Sequence, residues 1–211
     1  LKSIEQINLD LRSNKKMFRL LQGDVGSGKT IVSLITSLNV IFSNFQVCLM
    51  APTEILAKQH YNLFKKIFNN SINVEILTGK TEYKKRKLIL SNLENNKIDI
   101  IFGTHALFQK KINFNNLGLI IIDEQHKFGV NQRKRLSEKG GSNCDVLVMS
   151  ATPIPRTMMM TLYGDMDISL IKSKPKNRKD IKTYTKDINK IDDIIAFIKK
   201  EIKDNNQVFW V

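Results

Sequence analysis

Eight residues, Gly23 to Thr30 (GDVGSGKT), carry the strongest chemical signal in this 211-residue chain. They fit G-x-x-x-x-G-K-[ST] and lie between an apolar run that reads as a strand and an amphipathic run that reads as a helix. Gly23, Gly26 and Gly28 let the backbone take conformations that a Cβ would block. The N–H groups of Gly23, Asp24, Val25, Gly26, Ser27, Gly28, Lys29 and Thr30 can then gather around a phosphate, and the positive end of the following helix adds to them. Lys29 would bring a point charge to the β- and γ-phosphates, and the Thr30 hydroxyl would coordinate Mg²⁺. The plainer alternative is a Gly-rich turn between strand and helix.

A second signal is LIIIDEQH, Leu119 to His126. Its apolar strand would deliver Asp123 and Glu124 to the carboxyl edge of a sheet, where α/β proteins bind ligands. Asp123 would complete the magnesium shell, and Glu124 would orient and deprotonate an attacking water. An Asp-Glu pair after a strand is by itself a common surface feature. It gains meaning by following the phosphate loop at a distance of about 90 residues. Gln125 and His126 come next, and His126 is placed to sense a γ-phosphate. A third signal is MSATPIPRT, Met149 to Thr157. The Ser150 and Thr152 hydroxyls, flanking Ala151, could bond the carboxylates of the Asp-Glu-Gln-His run and link nucleotide state to neighbouring elements. The bland reading is a strand end turning into a helix, with Pro155 at a first helical position.

Three further loops follow apolar strands: Pro52-Thr53, Thr78-Gly79, and Gly103-Thr104-His105. Each offers hydroxyls, N–H groups and a helix start, which hold phosphate oxygens without reading bases. Thr53 is also a natural helix N-cap. Singly, each is as readily a capped turn.

Short β-branched or Leu-rich runs must position these loops: Phe18–Gln22, Val47–Ala51, Val74–Thr78, Ile98–Phe102, Leu117–Ile122, Val146–Ser150 and Ile168–Ile171. Such runs suit strands covered on both faces. Between them, Lys29–Phe42, Glu54–Phe68 and Thr81–Leu93 have helical spacing. Alternation of this kind predicts an α/β fold with a mainly parallel sheet flanked by helices. The apolar-free stretch Lys172–Asp180 (KSKPKNRKD) reads as a linker. A strand over Ile181–Thr185, a helix over Ile191–Ile202 and a strand over Val208–Val211 are expected beyond it.

Composition narrows the class. With 42% hydrophobic and 26% charged residues the chain resembles a globular protein rather than a disordered one. No apolar run approaches the roughly 18–20 residues of a membrane span, so no membrane partner is expected. Two cysteines are too few for a disulfide framework or zinc cluster, which suits a cytoplasmic protein. The net charge of +14 fits a polyanionic partner such as nucleic acid, or simply Lys-rich coding, since 27 of the 34 basic residues are Lys. The chain starts without Met and stops within an apolar run, as a piece of something longer would.

The order of these motifs (phosphate loop, PTxxLAxQ, TG, GTHAL, DEQH, SATPIPRT) resembles the N-terminal motifs of superfamily 2 helicases. DEQHKFGVNQR (Asp123–Arg133), ATPIPRT, LLQGDVGSGKT and MAPTEILAKQH resemble in particular the bacterial RecG family, ATP-dependent helicases that remodel branched DNA. The resemblance covers nearly the whole chain. It implies a RecA-like P-loop NTPase domain over residues 1–171, a basic linker over 172–180, and the incomplete start of a second helicase domain over 181–211. It also implies ATP and Mg²⁺ at Lys29, Thr30 and Asp123, with Glu124 and His126 serving catalysis and Gln125, Ser150, Ala151 and Thr152 serving coupling. Branched or double-stranded DNA would lie on Pro52, Thr53, Thr78, Gly79, Gly103, Thr104 and His105. A wedge domain and a second helicase domain with an arginine finger would complete the machine, so the 211 residues alone should hydrolyse ATP poorly. Members of that family usually have Arg at Lys127, often Thr at Ser150, and a Pro- and Gly-rich linker, so this chain departs conservatively. Two other readings stay open. One is the translocase module of a transcription-repair coupling factor, a family that usually departs from Asp-Glu-Gln-His. The other is a binding module without chemistry. A P-loop kinase or GTPase accounts for neither the tetrad nor the Ser-Ala-Thr run.

Overall fold

A computed structural model describes residues 2–68, 71–109, 112–124, 144–152, 166–172 and 182–211. The chain divides into two units, Leu1–Pro175 and Lys176–Val211. In the first, seven strands form one sheet: β1 (Phe18–Gly23), β2 (Gln46–Met50), β3 (Val74–Leu77), β4 (Ile100–Gly103), β5 (Leu117–Asp123), β6 (Asp145–Ser150) and β7 (Asp167–Ile171). Their order is β3-β4-β2-β5-β6-β1-β7, and every pairing is parallel. The expected mainly parallel sheet is thus wholly parallel among the described residues. Burial follows position: β2 and β4 are buried throughout, whereas the edge strands β3 and β7 are only partly covered.

Alternate residues serve opposite faces, as pleating requires. One face carries Leu20, Cys48, Met50, Ile101, Ile120, Ile122, Val146 and Val148 under Ile89 and Leu93 of α4 (Tyr83–Glu94). The other carries Leu21, Val47, Leu49, Phe102, Leu119, Ile121, Leu147 and Met149. It is covered by Ile7 of α1 (Lys2–Leu11), by Leu34, Val40 and Ile41 of α2 (Lys29–Phe42), and by Phe64 of α3 (Glu54–Phe68). Phe64 packs at 5.7 Å, ring to ring, on Phe102.

Two polar clusters tie the layers together. Arg19, buried in β1, donates from Nε to Asp10 of α1 at 2.5 Å and from Nη1 to Ser169 of β7 at 3.0 Å. The Ser169 hydroxyl in turn donates to Gln6 of α1 at 2.7 Å. At the amino edge of the sheet, buried Gln46 donates from Nε2 to the carbonyls of Leu93 and Ile98 at 3.0 Å each. Its Oε1 accepts the N–H groups of Asn115 and Asn116 at 2.9 and 3.1 Å.

The second unit contains α5 (Ile191–Lys203). The expected flanking strands do not form: residues 182–187 and 206–211 lie in no ladder. Strand geometry needs a neighbour for its N–H and C=O groups, and neither segment pairs with another among the described residues. Ile181 and the segment 173–180 lie outside the described residues. Among those described, no helix is long and apolar enough to cross a membrane.

Candidate active site

The phosphate loop leaves β1 beside the edge of the sheet and enters α2. Gly26 and Gly28 hold φ of 77° and 95°, the left-handed region that residues with a Cβ resist. Gly28 is the N-cap residue of α2, so that helix points its free N–H groups into the loop. The turn is closed by the Ser27 N–H donating to the Asp24 carbonyl at 3.1 Å and the Val25 N–H to Asp24 Oδ1 at 2.8 Å. A Cβ on Gly23 would come within 2.5 Å of Ser27 Oγ. Lys29 Nζ folds back to donate to the carbonyls of Gly23 at 2.7 Å and Asp24 at 3.1 Å. Among the described residues the buried Ser27 Oγ has no hydrogen-bond partner, a situation that costs about 1–3 kcal/mol. A phosphate oxygen would give this hydroxyl an acceptor, and the Lys29 ammonium, held by two neutral carbonyls, has charge to offer it. Loop conformation and donor set therefore fit a nucleotide phosphate.

Asp123 ends β5, two strands from β1 and so about 10 Å across the sheet. It is 9% exposed, and its Oδ2 lies 2.9 Å from Nε2 of buried His60 on α3. Glu124 follows with φ of 50°, and its N–H donates to the Met149 carbonyl at 3.0 Å. A left-handed non-glycine residue costs about 1–3 kcal/mol, and here it directly follows Asp123 at the end of the strand. Among the described residues no group of three or more His, Cys, Asp or Glu could hold a metal ion. Mg²⁺ does not need one: it is usually held by one or two carboxylates together with substrate phosphates and water. Thr30 and Asp123 fit that pattern.

Ser150, fully buried, ends β6 between the other two strands. Its hydroxyl lies 3.0 Å from Thr152 Oγ1 and also donates to the Thr152 carbonyl at 3.3 Å. Gln22, the residue before Gly23, donates to that same carbonyl from Nε2 at 3.1 Å. Among the described residues these hydroxyls form a local link, around Ala151, back to the strand that starts the phosphate loop. The Asp123 carboxylate is engaged by His60. Gln125 and His126, and residues 153–157, lie outside the described residues.

The remaining loops follow β3, β4 and β2, three adjacent strands on the other half of the sheet. Thr53 caps α3: its Oγ1 accepts the Leu56 N–H at 3.3 Å, next to Pro52. Thr78 Oγ1 accepts the Lys80 N–H at 3.3 Å in the turn through Gly79. Accepting an N–H uses a lone pair and not the O–H proton, so both hydroxyls can still donate to a phosphate oxygen. Gly103 allows a close approach, since a Cβ there would stand 2.3 Å from the Leu77 carbonyl. Thr104 is buried and its carbonyl accepts the Leu107 N–H at 2.9 Å, while His105 is exposed.

Residues 2–161 match the family profile described as DEAD/DEAH box helicase. The chain belongs to that family. It is 49% identical over 209 residues to the ATP-dependent DNA helicase RecG of Staphylococcus epidermidis RP62A, and 47% identical to that of Staphylococcus aureus NCTC 8325. Each match covers 99% of this chain and 30% of the relative, so the chain spans under a third of their length. A solved structure of RecG bound to a three-way DNA junction superposes with a TM-score of 0.82 at 40% identity, over 96% of this chain and 27% of that one. The resemblance to RecG read from the motifs is borne out, and so is the RecA-like fold class. Helicases of this family use ATP.

Two residues of this helicase domain escaped the motif reading. His60 carried a signal: it falls on the buried stripe Ala57, His60, Phe64 of α3, where a polar side chain needs a partner. Gln22 carried a weaker one, a single amide at the end of the apolar run of β1.

Proposed function

We propose that this chain is the ATP-binding domain of an ATP-driven double-stranded DNA translocase that remodels Holliday junctions and stalled replication forks. One observation carries the reading: the carboxyl edge of a single sheet divides into two halves. The phosphate loop follows β1, Asp123 and Glu124 lie at the end of β5 and the Ser150 and Thr152 hydroxyls at the end of β6, whereas the loops after β2, β3 and β4 carry hydroxyls and helix starts. The identity to RecG supports it. Lys29, Thr30 and Asp123 would hold ATP with Mg²⁺, which would supply the phosphoryl group and a Lewis acid. The N–H groups of Gly23 to Thr30 hold the phosphates, with the Ser27 hydroxyl as a further donor. Glu124 takes the proton of the attacking water. Gln125, His126, Ser150, Ala151 and Thr152 pass the change to neighbouring elements, Thr152 through Gln22. Pro52, Thr53, Thr78, Gly79, Gly103, Thr104 and His105 hold the backbone of branched or double-stranded DNA. Backbone contacts suit an enzyme indifferent to sequence, and binding should weaken steeply with salt.

In this reading residues 1–171 form the first helicase domain, 172–180 the linker and 181–211 the opening of the second. The longer protein adds a wedge domain and an arginine finger in trans, worth roughly 10³–10⁵ in rate. It works in the cytoplasm. The test uses the full-length protein with a three-way junction. Lys29→Ala should abolish nucleotide binding. Glu124→Gln should retain it while lowering ATP turnover about a hundredfold or more. If neither substitution lowers turnover, the site assignment fails.

A further inference from the structure

We infer that His60 is a positioning residue for the metal-binding carboxylate of Asp123. The inference rests on the reading that Asp123 belongs to the magnesium shell. The two side chains come from α3 and β5, 63 residues apart, and meet at 2.9 Å with 9% and 12% of their surface exposed. An ionised carboxylate only accepts, so Nε2 carries the hydrogen and donates it. That bond fixes Oδ2 and with it the plane of the carboxylate, directing Oδ1 to one position. Carboxylates that bind a metal are themselves held by hydrogen bonds from an outer partner, and losing that partner typically costs about 10–100-fold in metal affinity or activity.

A purely structural role explains the pair less well. Polar pairs removed from water return little net stability, and an apolar replacement of similar volume is often neutral. Placement points the same way. His60 lies about two helical turns beyond Thr53, which caps α3 at the loop after β2. The imidazole thus ties the Asp123 carboxylate to the helix that begins on the other half of the sheet edge.

The experiment measures binding of a fluorescent ATP analogue to the full-length protein, first in EDTA and then across a Mg²⁺ titration, with thermal unfolding alongside. His60→Met fills the space without a donor, and His60→Gln places an amide N–H near the position of Nε2. For His60→Met, affinity in EDTA should stay within about threefold of wild type while the Mg²⁺ concentration for half-maximal enhancement rises about tenfold or more. His60→Gln should restore it to within about threefold. An equal loss of affinity with and without Mg²⁺ would mark a structural role and overturn the inference, as would an unchanged Mg²⁺ dependence. If the Met variant does not fold, His60→Leu, which also lacks a donor, takes its place, and the same outcomes support or overturn the inference. Asp123→Asn separates the two layers of argument. If it too leaves the Mg²⁺ dependence unchanged, the metal assignment has failed; if it alone raises the requirement, only the role of His60 has.

Discussion

Replacing Arg19 by Met tests how firmly α1 is bound to the helicase sheet. The guanidinium is 9% exposed and bonds Asp10, whose side chain is 23% exposed. Breaking a buried pair by removing one partner costs about 3–5 kcal/mol, because the other charge is left buried and unpaired. Asp10 keeps some contact with water, which lowers the figure. Ser169 loses only the guanidinium, since its hydroxyl still donates to Gln6. Asp167, 3.6 Å away and 72% exposed, adds little. The expected loss is therefore about 3 kcal/mol. With a urea dependence of about 2 kcal/mol per molar, the unfolding midpoint should fall by about 1.5 M. Far-UV circular dichroism is the right probe, because the one tryptophan, Trp210, lies in the other unit. The double variant Asp10→Leu with Arg19→Met should recover most of the loss, as apolar replacements of buried pairs do. A single variant within about 0.5 kcal/mol of wild type, or a double variant no better than the single, would refute the argument.

Two glycines should fail for different reasons. Gly103→Ala forces a Cβ against the Leu77 carbonyl and should cost about 1–3 kcal/mol in urea unfolding by prising β3 from β4. Gly28→Ala meets nothing within 4 Å, so its cost of about 1 kcal/mol is conformational, and the fluorescent ATP analogue should no longer bind. Burial holds the Asp145 carboxyl above its usual range, against the pull of the Met17 N–H. The folded chain therefore takes up this proton at a higher pH than the unfolded chain, and ionisation of Asp145 costs the fold. Asp145→Asn keeps an oxygen for Met17 and should raise the melting temperature at neutral pH. The gain should shrink as pH falls through the carboxylate range, and a gain that grows in acid would contradict the sign. Burial also pushes the Cys144 thiol up to about 12, so an aromatic disulfide reagent should react with it only on unfolding.

All seven strands and the helices α2, α3 and α4 were legible because each is a continuous or periodic apolar pattern flanked by turn residues. α2 and α3 have the bounds their spacing predicts. α1 was not legible. Its sequence KSIEQINLDL buries one residue completely, Ile7, and is held to the sheet by Asp10 and Gln6, whose partners lie in strands up to 163 residues away. No local window contains that information. The phosphate loop was readable because glycines at fixed spacing report a backbone conformation directly. The partners of Asp123 and Thr152 were not, because His60 and Gln22 become neighbours only once strand order is known. The expected strands around α5 failed for a related reason: local β-propensity cannot supply a pairing partner.

Gln46 has a mechanical consequence. Its two donors and two acceptor sites are all used, and they join the end of α4, the approach to β4 and the approach to β5 at one point. Sliding β4 or β5 against β2 would break bonds of one buried amide together. The amide is a shear pin: it couples α4 and the approaches to β4 and β5 at one point, so displacing any of them against β2 costs bonds of the same buried group.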